Sequence, residues 1–82
     1  MYFVYLLYSE KCDRYYVGYS ENVEMRLERH NRKMVAATRN CTPYVLKGKK
    51  GFETESEARR EELRIKRQKS RVYIEWLLSG NW

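Results

Sequence analysis

Residues Tyr2, Phe3, Val4, Tyr5, Leu6, Leu7 and Tyr8 form an unbroken apolar and aromatic run with polar residues beyond it. That length and that boundary predict a strand buried on both faces, the central strand of a sheet. The polar stretch from Ser9 to Arg14 leads into Tyr15, Tyr16, Val17, Gly18 and Tyr19, so an antiparallel hairpin is the simplest connection. Gly18 in that second strand marks either a bulge or a place where another backbone or a ligand comes close.

Helix signals follow at once. Ser20 or Asn22 can cap, Glu21 and Glu24 favour the positive N-terminus, and Val23 with Leu27 gives an apolar stripe, with an end expected near Asn31. Residues 32 to 43 lack periodicity and hold the single proline, Pro43, which predicts a loop leading to a third strand from Tyr44 to about Lys50 with a basic, exposed outer end. Thr54 and Glu57 have the spacing of a capping box at the start of a second helix that runs to about Lys69. Ser70 can cap a short third helix whose Val72, Ile74, Leu77 and Leu78 pack onto the core before Gly80 stops it. Three strands and about three helices make an α+β chain. At 82 residues it is expected to form a single domain, residues 1 to 82, with one modest core.

Composition sharpens the reading in two ways. Seventeen Lys and Arg against eleven Asp and Glu leave a net charge of +6, a field that favours polyanions such as nucleic acid. No run approaches the roughly 20 apolar residues that cross a bilayer, and the opening strand does not read as a signal peptide, so a cytoplasmic protein is expected. Cys12 and Cys41 lack the close spacing or histidine partners of a zinc or redox site, and reduced, incidental thiols are the expectation in such a compartment.

Several side chains can carry chemistry. Arg26 and His30 lie four apart on one helix edge and can act on one ligand. Arginine offers a planar fork for phosphate oxygens, and the single histidine can accept or pass a proton. In the second helix, Ala58, Glu62 and Ile65 follow the helical period, which puts a carboxylate where an inward apolar side chain belongs. Burying it unpaired is costly, so a cation, a donor or a metal should stand beside it; the plainer alternative is an intrahelical pair with Lys66 on a solvated face. Glu61 is expected to be exposed. Tyr5 and Tyr16 could orient or deprotonate water, although a phenol with a pKa near 10 needs help to act as a base. From residue 59 to 71, seven Lys and Arg against two Glu could form a phosphate-binding stripe, including Lys66, Arg67 and Lys69.

Taken in order, Tyr5, then Tyr16-Val17-Gly18, Arg26, His30 and Glu62 resemble the GIY-YIG nuclease family, in particular its small stand-alone members. The most specific piece is Tyr15-Tyr16-Val17-Gly18-Tyr19-Ser20 followed by Arg26 and His30. The first motif reads Phe3-Val4-Tyr5, so its glycine is replaced and the tyrosine remains; a glycine carries no reactive group. The glutamate rests on the run Ser56-Glu57-Ala58 with Glu62, and a slip of one residue would nominate Glu61. The resemblance implies a three-stranded antiparallel sheet flanked by helices, with Tyr5, Tyr16, Arg26, His30 and Glu62 as catalytic residues. It also implies one divalent ion, Mg²⁺ or Mn²⁺, held by Glu62. Gly18, Lys66, Arg67 and Lys69 would meet the substrate. The expected activity is metal-dependent endonucleolytic cleavage of DNA at branched, flapped or damaged structures, with no second DNA-binding domain and with recruitment by another protein as a further possibility. The alternatives are a nucleic-acid-binding module without turnover, or a protein-interaction adaptor using Trp76 or Trp82.

Overall fold

The computed structural model describes residues 1–82. Strands β1 (Tyr2–Ser9) and β2 (Arg14–Ser20) form the hairpin, followed by helix α1 (Val23–Asn31), strand β3 (Val45–Phe52), helix α2 (Glu55–Gln68) and helix α3 (Arg71–Trp76). The sheet is antiparallel with the order β2-β1-β3, so the most apolar strand is the central one.

Alternation along β1 builds two cores. Val4 and Leu6 point to one face, where they meet Val17, Ala58 and Ile65 of α2 and Leu77. Tyr5 and Leu7 point to the other, where they meet Val23 of α1, Cys41 and Tyr44, with Tyr16 and Leu27 packed alongside. Leu6 faces Val17 across the hairpin and Tyr5 faces Gly18, which keeps each cross-strand pair on one side.

The helix starts follow local chemistry. The Asn22 side chain accepts from the Met25 amide, which makes it the cap of α1, while Ser20 bonds the Asn22 backbone instead. Thr54 and Glu57 satisfy each other's amides as a capping box, and Ser70 caps α3. The chain continues from α3 through a wider helical turn, Leu77–Asn81, that ends where Gly80 takes a φ of 101°. Ile74, Leu77 and Leu78 pack onto the first core as expected, but Val72 does not; it is 74% exposed on the outer side of α3.

The aperiodic segment from 32 to 44 is well anchored, and here the cysteine expectation fails. Cys12 and Cys41 form a disulfide that ties this segment to the β1–β2 turn. Spacing gave no hint of it, because the fold, not the sequence, brings the turn and the loop together. Ser9 Oγ donates to the Cys41 carbonyl at 2.5 Å. The Asn31 amide clasps the Tyr44 backbone, accepting from its N–H at 2.7 Å and donating to its carbonyl at 3.0 Å.

Candidate active site

Tyr5 lies at the middle of β1 and is 1% exposed, yet it lines a cavity of about 430 Å³. That cavity sits at the outer edge of β2, where side chains from both sides of the sheet meet. Tyr16, Gly18, Tyr19 and Ser20 come from β2, Arg26 from α1, and Glu55 and Glu62 from α2. Four of the five residues expected to be catalytic therefore line one space.

The fifth, His30, stands behind it. Its imidazole is fully buried, with Nε2 3.1 Å from the Tyr5 hydroxyl and Nδ1 2.8 Å from Thr38 Oγ1. The Tyr16 and Tyr44 rings pack around it at centroid distances of 4.9 and 6.4 Å. His30 thus reaches the cavity through the Tyr5 phenol and not directly, so Arg26 and His30 share a helix edge without sharing an open surface. Burial, with Arg26 adding to it, pushes the imidazole pKa down to about 4, and the ring is neutral at ordinary pH. Burial pushes the Tyr5 phenol up to about 12, while the Arg26 guanidinium beside it pulls the other way. Arg26 keeps a buried Nε without a hydrogen-bond partner.

Gly18 has a specific reason to be glycine. A Cβ built there would stand 2.5 Å from the Tyr5 hydroxyl and 2.6 Å from the ring carbon bearing it. The pairing of Gly18 with Tyr5 is regular, so the bulge expectation does not hold; the sheet's irregularity lies on the β1–β3 side, between Leu6 and Leu7. The space above Gly18 is filled by the tyrosine itself.

On α2, Glu62 has a side chain only 13% exposed, and Lys66 Nζ stands 3.5 Å from its carboxylate. The intrahelical pair exists, with its carboxylate sunk against the cavity and its Lys66 end 44% exposed. Lys66 also lies over the Tyr16 ring, 5.7 Å from its centroid. Glu61 is not exposed either. Its side chain is 14% exposed, with Arg64 at 2.6 Å and Trp82 Nε1 donating at 2.8 Å, and these partners hold its pKa low. Glu61 belongs to a different hollow, with Phe52 and Arg60, so the two adjacent glutamates face different surroundings. Trp82 is committed to that contact, whereas Trp76 is 52% exposed.

The basic residues also divide. Lys66 and Lys69 line a neighbouring hollow of about 400 Å³ with Arg14 and Arg71, while Arg67 faces away with Arg59 and Arg60. Arg71 is occupied by Asp13 at 2.6 Å and Glu75 at 3.4 Å. No three acidic, histidine or cysteine side chains gather as a metal cluster. Glu62 nonetheless fits a single hard cation: it is one carboxylate with tyrosine hydroxyls near it and only a long contact to Lys66, the donor set of a Mg²⁺ that keeps most of its waters. Sequence reasoning missed Thr38 and the disulfide, since neither sits in a periodic segment.

A three-stranded antiparallel sheet whose edge carries tyrosines, a helical arginine and a carboxylate from the facing helix defines a class. The family model described as the GIY-YIG catalytic domain matches residues 1–74, and the chain belongs to that family, a nuclease superfamily whose domains act on DNA. Within it, the chain is similar to UPF0213 proteins. It is 44% identical to one from Halobacterium salinarum over 64 residues, covering 77% of this chain and 82% of that one. It is 42% identical to another from Nitratidesulfovibrio vulgaris over 71 residues, covering 83% of this chain but 62% of the longer relative. The solution NMR structure of a UPF0213 protein from Bacillus halodurans superposes with a TM-score of 0.60 at 32% identity, covering 96% of this chain and 84% of that one. No helix is long and apolar enough to cross a membrane.

Proposed function

We propose that this protein is a divalent-metal-dependent endonuclease that hydrolyses phosphodiester bonds in DNA at branched, flapped or damaged positions. The observation that carries the reading is the Tyr5–His30 hydrogen bond, set beside Arg26 and Glu62 at one cavity. A phenol this strongly protonated is no base by itself. An imidazole whose pKa is pushed down to about 4 is a weak acceptor, so the transfer is concerted: the Tyr5 oxygen takes a proton from water as its own passes to His30 Nε2. The water is made more acidic by the positive charge that Arg26 and a bound divalent ion would supply, and the resulting hydroxide attacks phosphorus. Arg26 lies in the same cavity with a spare N–H and neutralises charge that builds on the phosphoryl oxygens. Tyr16 walls the site and orients the water. Glu62 would hold the one Mg²⁺ or Mn²⁺, which when bound supplies Lewis-acid stabilisation of the phosphate and the departing oxygen. Lys66 and Lys69, with Arg14 in the adjoining hollow, offer positive charge to the flanking backbone, in keeping with the net charge of +6.

The test incubates the purified protein with duplex, flap, junction and single-stranded DNA in Mg²⁺, Mn²⁺ or EDTA, beside Glu62→Ala and Arg26→Ala. Cleavage should require metal and fall by about 10²- to 10³-fold in each variant. Cleavage that persists in both overturns the site. Salt-sensitive binding without any cutting would instead identify a non-catalytic nucleic-acid-binding module.

A further inference from the structure

His30 can act as the acceptor for the Tyr5 proton only if its Nε2 carries none. In a neutral imidazole one nitrogen bears the hydrogen and the other the lone pair, and a partner at the far nitrogen decides which. Here that partner is Thr38, fully buried, with Oγ1 2.8 Å from Nδ1. Two arrangements are open. The threonine can donate to Nδ1, which turns Nε2–H onto Tyr5, or Nδ1–H can donate to the threonine, which leaves Nε2 free to accept.

The surroundings favour the second. Arg26 shares the cavity with Tyr5 and has only N–H groups to offer, so the phenol proton cannot go to it; the protein acceptor within hydrogen-bond distance is His30 Nε2 at 3.1 Å. With that proton placed, Nδ1–H points at Thr38, and the threonine's own hydrogen is directed to the Val35 carbonyl at 3.4 Å. No other group competes for the ring: Tyr16 and Tyr44 pack against it, and the Tyr44 hydroxyl has no hydrogen-bond partner at all. We propose that Thr38 is a positioning residue that fixes His30 in its Nδ1–H tautomer, so that the imidazole faces Tyr5 as a proton acceptor. Its role in turnover rests on the nuclease reading above; the tautomer itself does not. On transfer, the Tyr5 proton forms the new Nε2–H bond, the water proton replaces it on the phenol, and the imidazolium keeps Nδ1–H on Thr38.

Because the chain has one histidine, a long-range ¹H–¹⁵N spectrum of the ¹⁵N-labelled full chain reads the tautomer without assignment. The wild type and Thr38→Ser should show a protonated Nδ1 and an unprotonated Nε2 at neutral pH. In Thr38→Val the tautomer ratio should shift by about tenfold toward Nε2–H, since a buried N–H without an acceptor is disfavoured by about that factor. Metal-dependent cleavage should drop in parallel, in kcat and not in KM, with Thr38→Ser restoring it. A wild-type spectrum with Nε2 protonated overturns the assignment, as does an unchanged tautomer in Thr38→Val. A protein that cuts no DNA yet shows the Nδ1–H form sinks the nuclease reading and leaves this assignment standing.

Discussion

The two faces of β1 are built from the same strand and differ in almost every other respect. One carries Val4 and Leu6 under α2 and the C-terminal helical turns, an aliphatic core whose members could be exchanged for others of like volume. The other carries Tyr5 and Leu7 under α1 and the 32–44 segment, and it buries His30, Thr38 and Ser9 as well. His30, Thr38 and Ser9 are tolerated there because each finds a side-chain or backbone partner; the Tyr44 hydroxyl is the exception. The first face stabilises the fold through transfer from water; the second is specified by donor and acceptor geometry, and the candidate site grows out of it. A two-residue period lets one strand serve both purposes without compromise.

This contrast predicts opposite responses to truncation. Leu6→Ala should cost about 2 to 5 kcal/mol of unfolding free energy in chemical denaturation, because it opens a cavity in a fully packed core. Tyr5→Phe should change stability by only about 1 kcal/mol while cutting cleavage by about 10²-fold or more. Equal losses of stability in the two variants would erase the distinction between the faces.

A second effect of nearly that size belongs to the polar face alone. The His30 imidazole has a folded pKa of about 4 against an ordinary 6.5, so between those values the unfolded chain binds the proton and the folded one does not. Stability should therefore rise with pH across that window, and falling from pH 6.5 to 4 should remove up to about 3 kcal/mol. Melting curves of wild type and His30→Gln against pH would sharpen the comparison: the substituted chain should be less stable at neutral pH and show a flatter acid limb. A wild-type acid limb unchanged in slope by the substitution would mean that the imidazole is not buried neutral.

A more local change is expected at Gly18. Gly18→Ala pushes a methyl into the Tyr5 phenol at 2.5 Å, and overpacking of this kind costs about 1 to 3 kcal/mol. Because the displaced atoms are those proposed to react, cleavage should suffer more than melting does. The reverse order would place the glycine in the structural half of the molecule.

Much of this was legible in the residues. The apolar run gave β1 its central place, the Ser20-or-Asn22 cap and the Thr54–Glu57 pair marked helix starts that the hydrogen bonds reproduce with Asn22 as the first cap, and the misplaced polarity of Glu62 pointed to an inward carboxylate in need of a partner, which Lys66 supplies at 3.5 Å. What escaped was whatever depends on contact between segments without a period. The disulfide joins a turn to a loop, and Thr38 meets His30 only because the same loop folds back over α1. The burial of Glu61 and the exposure of Val72 are illegible for a related reason: helical spacing says which residues share a face, not which neighbour arrives to cover it. A tryptophan from the chain's last position covers Glu61, and nothing covers Val72.

Any open sheet has two margins at which a foreign strand could add, and here they are guarded differently. Beside β2 stand Arg26, Glu62 and Lys66, the side chains that line the cavities there. β3 instead carries Lys47, Lys49 and Lys50 at exposed positions, and although Lys49 pairs with Glu24 at 3.3 Å, the remaining positive charge disfavours the approach of a like strand. Lysines that at first suggest only affinity for polyanions therefore also disfavour strand addition at this margin.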